Sequence, residues 1–288
     1  MNHLKKISAT IFLLTCFWVT GNVVAHPSVS VVIDSKGNIF YSDLSRVWMI
    51  SPDGDKQVVV DDVHTHELWV SADDKLFGED VRNQGNNYRH KVWVRLPDGT
   101  VEDVIGWRNG YPDEYSDYSF VRDDEGRSYV LDRANKQIKI YKNQEEVYSY
   151  ALSKFEGSPR WHALSPGGDL FVSFEGFIVR VSEKSSEKFA ESLIERSPEF
   201  GWVGDHHALM GMWFDGEEEL NVALFSGQRV LKVNKDGSAE AVYHSDGEWS
   251  VTGGAFAKDG SVILLEFSNS NSLRLRKIAK DGTSTILS

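Results

Sequence analysis

The chain has 288 residues, 43 acidic against 31 basic, and a formal net charge of −12. That excess disfavours nucleic acid and anionic membrane surfaces as partners. It contains one cysteine, Cys16, so no disulfide framework can support the fold.

The first 25 residues read as a secretory leader. Lys5 and Lys6 precede an apolar run from Ile7 to Val19, and Val23-Val24-Ala25 forms a small-residue cleavage site. The run is shorter than the roughly 20 residues of a membrane span. Cleavage after Ala25 removes Cys16 and leaves residues 26–288 as a single exported domain, periplasmic or secreted, with no membrane span and expected to act as a monomer. It would also expose the amine of His26, an arrangement that can bind copper if a second histidine meets it.

One plan then recurs six times. IDSKGNIFYSD (33–43), SADDKLFGED (71–80), RDDEGRSYVLD (122–132), SPGGDLFVSF (165–174), DGEEELNVALF (215–225) and AKDGSVILLEF (257–267) each set a polar or glycine turn beside a strand-like run. A second hairpin follows each. It is strong in VWMISPDGDKQVVV, VWVRLPDGTVEDVI, VLKVNKDGSAEAVY and LRKIAKDGTSTIL, and weaker in IKIYKNQEEVYSY and IVRVSEKSSEKFA. Six units of four strands predict an all-β fold, a six-bladed β-propeller of four-stranded antiparallel blades. Helical periodicity is absent apart from one turn expected near Glu191–Arg196. Trp48, Trp69, Trp93 and Trp213 fall inside strand runs, where they should pack between blades. Both termini are in phase with the repeat, so the ring should close by blade packing rather than by a shared blade.

In such a meander the DG-type turns lie on one face, and the second-to-third and between-blade loops on the other. His26, His64, His66, His90, His162, His206, His207 and His244 all map to the second face. His66, Glu67, His162 and one of His206 and His207 start innermost strands and are expected to line the channel; strand alternation should send the other of the pair sideways. Glu79 and Glu266 end second strands on the same face. His64, His66, His162, His206, His207 and Glu266 are therefore candidate ligands for a divalent metal. Neutral imidazoles suit Zn²⁺ or another transition metal, and the carboxylates Glu79, Asp80, Asp205 and Glu266 offer Ca²⁺ an alternative. In HTHEL the two histidines are two apart, which on a strand puts both on one side; the helical metalloprotease motif needs four. Each histidine also has a simpler reading as a strand cap or a bond between blades. Trp107, Tyr115, Tyr118, Trp161, Trp202 and Trp249 crowd the same mouth and could stack on a ligand or pack between blades.

The six units resemble NHL-repeat propellers and the gluconolactonase-like propellers related to senescence marker protein. That resemblance implies a channel metal and a small-molecule substrate. In the lactonases Glu, Asn and Asp hold the metal, whereas here histidines stand at the comparable strand starts. The NHL-type amidating lyases, with a channel zinc held by histidines from separate blades, are a closer parallel. It would give His66, His162 and His206 or His207 the ligand role, with Glu67, Glu79, Arg160 and Tyr118 as candidate catalytic groups. Two functions remain open: a metal-dependent hydrolase or lyase, and a non-catalytic propeller that binds a glycan, peptide or envelope protein through its acidic rim and tryptophans.

Overall fold

A computed structural model describes residues 27–287 apart from 86, 111–120, 124, 144 and 183–184. The leader, His26, Tyr115 and Tyr118 lie outside the described residues.

Every strand follows from a local turn. Blade one is Val31–Ile33, Ile39–Ser42, Arg46–Ile50 and Lys56–Asp61, paired antiparallel in chain order. Its first turn is closed by Asp34, whose carboxylate accepts the amides of Lys36 and Asn38, with Gly37 at φ +85. Blade two comprises Leu68–Val70, Leu76–Gln84, Asn87–Arg95 and Val101–Asn109. Blades four, five and six, which begin at His162, Leu209 and Trp249, repeat the four-stranded order. Blade three has three full strands, Ser128–Asp132, Gln137–Lys142 and Glu145–Ala151. Its innermost segment is seen as a single bridge from Arg122 to Ser128, extended by the Tyr129 N–H donating to the Val121 carbonyl. The six-bladed propeller expected from the repeat is thus the fold.

The fourth strands are largely exposed, while the cores lie between neighbouring blades. One cluster joins Leu131 and Ile138 of blade three to Leu170 and Val179 of blade four. A second joins Phe171 and Ile178 to Leu220 and Val222 of blade five. Such stacking buries the faces that a lone blade would leave wet. The ring closes in the same way, Val31, Tyr41 and Ile50 of blade one packing on Ile263, Leu265 and Phe267 of blade six. Trp93 is fully buried between blades one and two, and Trp213 lies against blade six.

Close backbone approach narrows the axis on one side. An added Cβ at Gly253 would sit 1.9 Å from the Val29 carbonyl oxygen, and one at Gly211 2.8 Å from the same atom. Only glycine allows the first strands of blades one, five and six to meet there. The helical turn expected near Glu191 is not formed. That segment has no regular secondary structure, with the Glu195 carbonyl accepting the Ser226 hydroxyl and the Glu195 carboxylate paired with Arg229. The only helical turns among the described residues are short 3-10 turns at Asp205–His207 and Phe225–Gly227.

Candidate functional site at the histidine mouth

Blade two brings four of the expected residues together. Leu68 pairs with Gly78, so Glu67 stands opposite Glu79 at the top of the first two strands. The Glu79 side chain folds back under the incoming loop, where Oε1 accepts the His66 N–H at 2.6 Å and the Glu67 N–H at 3.2 Å. The same oxygen lies 3.4 Å from His66 Nδ1. Glu79 is only 4 % exposed, and its second oxygen, Oε2, is buried with no hydrogen-bond partner among the described residues. A buried carboxylate oxygen left so is costly.

The neighbouring groups fix the loop. Asp80 Oδ1 accepts the His64 amide at 3.0 Å and Arg82 Nε–H at 2.7 Å. His64 Nδ1–H donates to the Leu44 carbonyl at 2.8 Å, and its ring meets that of His66 edge to face, centroids 4.7 Å apart. Burial, then the nearby His66, lower the His64 pKa against the pull of Glu79 and Asp80. On the other side, the Ser28 hydroxyl and the Val29 N–H both donate to the His66 carbonyl at 3.1 Å. His66 is therefore gripped through both its backbone groups.

Beside this loop the channel opens into a cavity of about 380 Å³, bordered by Glu67, Trp69, Arg122, Trp161, His162 and Met212 from four blades. The Arg122 guanidinium stands 5.4 Å from the Trp69 ring centroid. His162 Nε2–H donates to the Tyr129 carbonyl at 2.7 Å, fixing its tautomer. Burial, helped by the positive Arg133, lowers its pKa to about 4, so the ring is neutral at pH 7. The cavity thus combines a neutral imidazole, a carboxylate and a guanidinium with aromatic walls.

The remaining candidates do not join this group. His206 and His207 are not on a strand as expected: the Gly204 carbonyl accepts the His207 N–H and starts a 3-10 turn. Both rings accordingly lie together, centroids 4.0 Å apart, with His206 exposed. Glu266 is fully buried and its carboxylate is already taken. Oε1 accepts the Tyr243 and Ser245 hydroxyls, and Oε2 lies 2.5 Å from Arg274 Nε and 3.1 Å from Arg276 Nε. It anchors blade six, and those partners leave no lone pair directed at a metal. Arg160 is half-buried, its carbonyl accepting Arg133 Nη2–H. Among the described residues, no three side chains drawn from His, Cys, Asp and Glu gather into a metal-holding group. The three-blade ligand set expected from the sequence is not assembled by these side chains.

Two participants escaped the sequence reading. Arg122 precedes the first turn of blade three, at the position filled by Ile33, Val70, Leu164, Phe214 and Phe256 in the other blades. A lone charge in that apolar set was the available signal. Ser28 carried none, because its bond to His66 depends on how blade one docks on blade two.

These features define a six-bladed propeller with a polar cavity at one mouth of its channel. No family model matches the chain, and none of the curated proteins matches it either. Solved structures do. Virginiamycin B lyase from Staphylococcus aureus aligns with a TM-score of 0.55 at 11 % identity, over 91 % of this chain and 84 % of that one. A catalytically inactive His-to-Ala variant of that lyase, in complex with quinupristin, aligns with a TM-score of 0.55 over 89 % of this chain and 82 % of that one, again at 11 % identity. A gluconolactonase from Xanthomonas campestris aligns with a TM-score of 0.50 at 16 % identity, over 87 % and 86 % of the two chains. What the chain shares with them is the fold, a six-bladed propeller in this chain. No helix among the described residues is long and apolar enough to cross a membrane.

Proposed function

We propose that the protein is an exported enzyme, a lyase or hydrolase that acts on a small molecule at the histidine mouth. The observation that carries this reading is the Glu79 carboxylate set against His66 beside a cavity holding Glu67, Arg122 and His162. A carboxylate at one ring nitrogen orients the imidazole, leaving Nε2 to take a proton from substrate or water. Arg122 is suited to a carboxylate or developing oxyanion, and Trp69 and Trp161 to an apolar ring. The neighbours are a lyase and a lactonase, which supports enzymatic use of the fold without fixing the reaction.

The acid–base groups carry this reading, since among the described residues no three side chains drawn from His, Cys, Asp and Glu gather as metal ligands. The test is turnover of virginiamycin B and of gluconolactone, the compounds in the neighbours' names, by protein purified without chelator and assayed for metal. Turnover of either, reduced roughly a hundredfold or more in His66→Ala, supports the reading. No turnover of either compound counts against it. Stoichiometric divalent metal that disappears in both His66→Ala and His162→Ala would instead favour the metal-dependent mechanism.

A non-catalytic role has one observation in its favour. Trp202, on the same face, is 85 % exposed, an unusual cost unless a partner covers it. Retention of ligand binding without turnover would select that reading.

A further inference from the structure

Blades three and four part at the end of the ring remote from the histidines. The cleft there has a volume of about 810 Å³ and is bordered by Arg127, Tyr129, Tyr148, Tyr150, Asp169 and Ser182, among others. Its blade-three wall is built by strand register. Ile140 pairs with Tyr129 on one side and Tyr148 on the other, which places two phenol rings in one row across the blade. Tyr150, two residues on, faces the same way, its ring centroid 4.6 Å from that of Tyr148.

The blade-four wall has little to answer with. The third residue of the first turn is Lys36, Asp73, Glu125, Glu217 or Asp259 in the other blades, but Gly167 here, where an added Cβ would meet Glu218 of blade five at 3.4 Å. Gly168 follows at φ +90, and a Cβ added to it would meet nothing within 4 Å. One step further in, Leu131 and Ile138 pack fully on Leu170, Val172 and Val179. The opening lies beside this turn, at Gly168, between blades that are otherwise closely packed.

Its chemistry selects a class of ligand. Tyr148 is 52 % exposed, which leaves an aromatic face available. Arg127 is already paired with Asp123 at 2.5 Å and lies 3.9 Å from Glu125, so it offers little attraction to an anion. Its presence likewise opposes a cation, while Asp169 and Ser182 add polar groups to the wall. A cleft with apolar faces, balanced charge and hydrogen-bonding edges matches a pyranose, whose C–H faces pack on aromatic rings and whose hydroxyls meet carboxylate and guanidinium. We propose that this cleft is a carbohydrate-binding site for a neutral glycan segment, separate from the histidine mouth.

The experiment is a titration of the whole protein with maltohexaose, cellohexaose, mannohexaose, xylohexaose and chitohexaose, by calorimetry and saturation-transfer NMR. At least one should bind, with saturation transfer strongest at its ring C–H protons. Tyr148→Ala should weaken that binding roughly tenfold, while Tyr148→Phe keeps most of it. His66→Ala, at the opposite mouth, should leave it unchanged. The proposal fails if none of the five binds, if binding survives Tyr148→Ala, or if it is lost in His66→Ala. Tighter binding of polygalacturonate or of a glucosamine oligomer than of every neutral sugar would also overturn it.

Discussion

His162 makes the stability of the ring depend on pH in a way that can be separated from every other titrating group. Its pKa falls from 6.5 to about 4 because the ring is buried and lies near Arg133, with Nε2–H committed to the Tyr129 carbonyl. Folding therefore favours the neutral imidazole. Above pH 6.5 the ring is neutral in both states and its contribution is complete. Between pH 6.5 and 4 the unfolded chain takes up a proton that the folded chain does not, so stability is lost as pH falls. The full difference is about 3.4 kcal/mol at 1.36 kcal/mol per pKa unit, of which about 2 kcal/mol is lost between pH 7 and pH 5. These are upper limits, because the ring edges on a cavity that water can enter. Urea unfolding of the wild type and of His162→Gln, followed by tryptophan fluorescence across this range, isolates the effect. The stability gap between the two should shrink by up to about 2 kcal/mol from pH 7 to pH 5. Parallel stability curves over that interval would show that His162 does not fold in its neutral form, and would refute the reasoning.

Two other substitutions test the scaffold. Gly253→Ala places a methyl group 1.9 Å from the Val29 carbonyl oxygen and should cost about 1–3 kcal/mol or more, lowering the melting temperature by several degrees. A melting point within a degree of wild type would mean that the blades do not meet there. Glu266→Ala removes the fully buried partner of Arg274 and Arg276, leaves them only the exposed Asp246 as a carboxylate partner, and should destabilise by up to about 3–5 kcal/mol in urea unfolding. A loss below about 1 kcal/mol would mean that water replaces the carboxylate.

The ring was legible in the sequence because its determinants are local. Each blade announces itself through a tight turn beginning with Asp34, Ser71, Asp123, Ser165, Asp215 or Ala257, and turn chemistry acts within five residues. The meeting of His66 with Glu79 was legible for a similar reason, since it needs only one hairpin. The His206–His207 pair was misread because alternation applies to strands, and the Gly204 carbonyl starts a 3-10 turn instead. Glu266 was placed at the right height, but the partners that occupy its carboxylate were not foreseen. Its true partner Arg274 lies directly across the next strand, a pairing visible only once register is known. Arg122 became meaningful by comparison across all six blades, and Ser28 only once blades one and two are docked.

The clasp on the His66 carbonyl has a kinetic corollary. Val29, which makes half of it, is itself wedged against Gly211 and Gly253, partners that follow it by some two hundred positions. Contacts so distant along the chain form late, after neighbouring hairpins have already collapsed. The loop that carries His66 would then be the final part of the molecule to settle, and a polypeptide halted before its sixth blade would hold most of its strands yet lack a finished mouth.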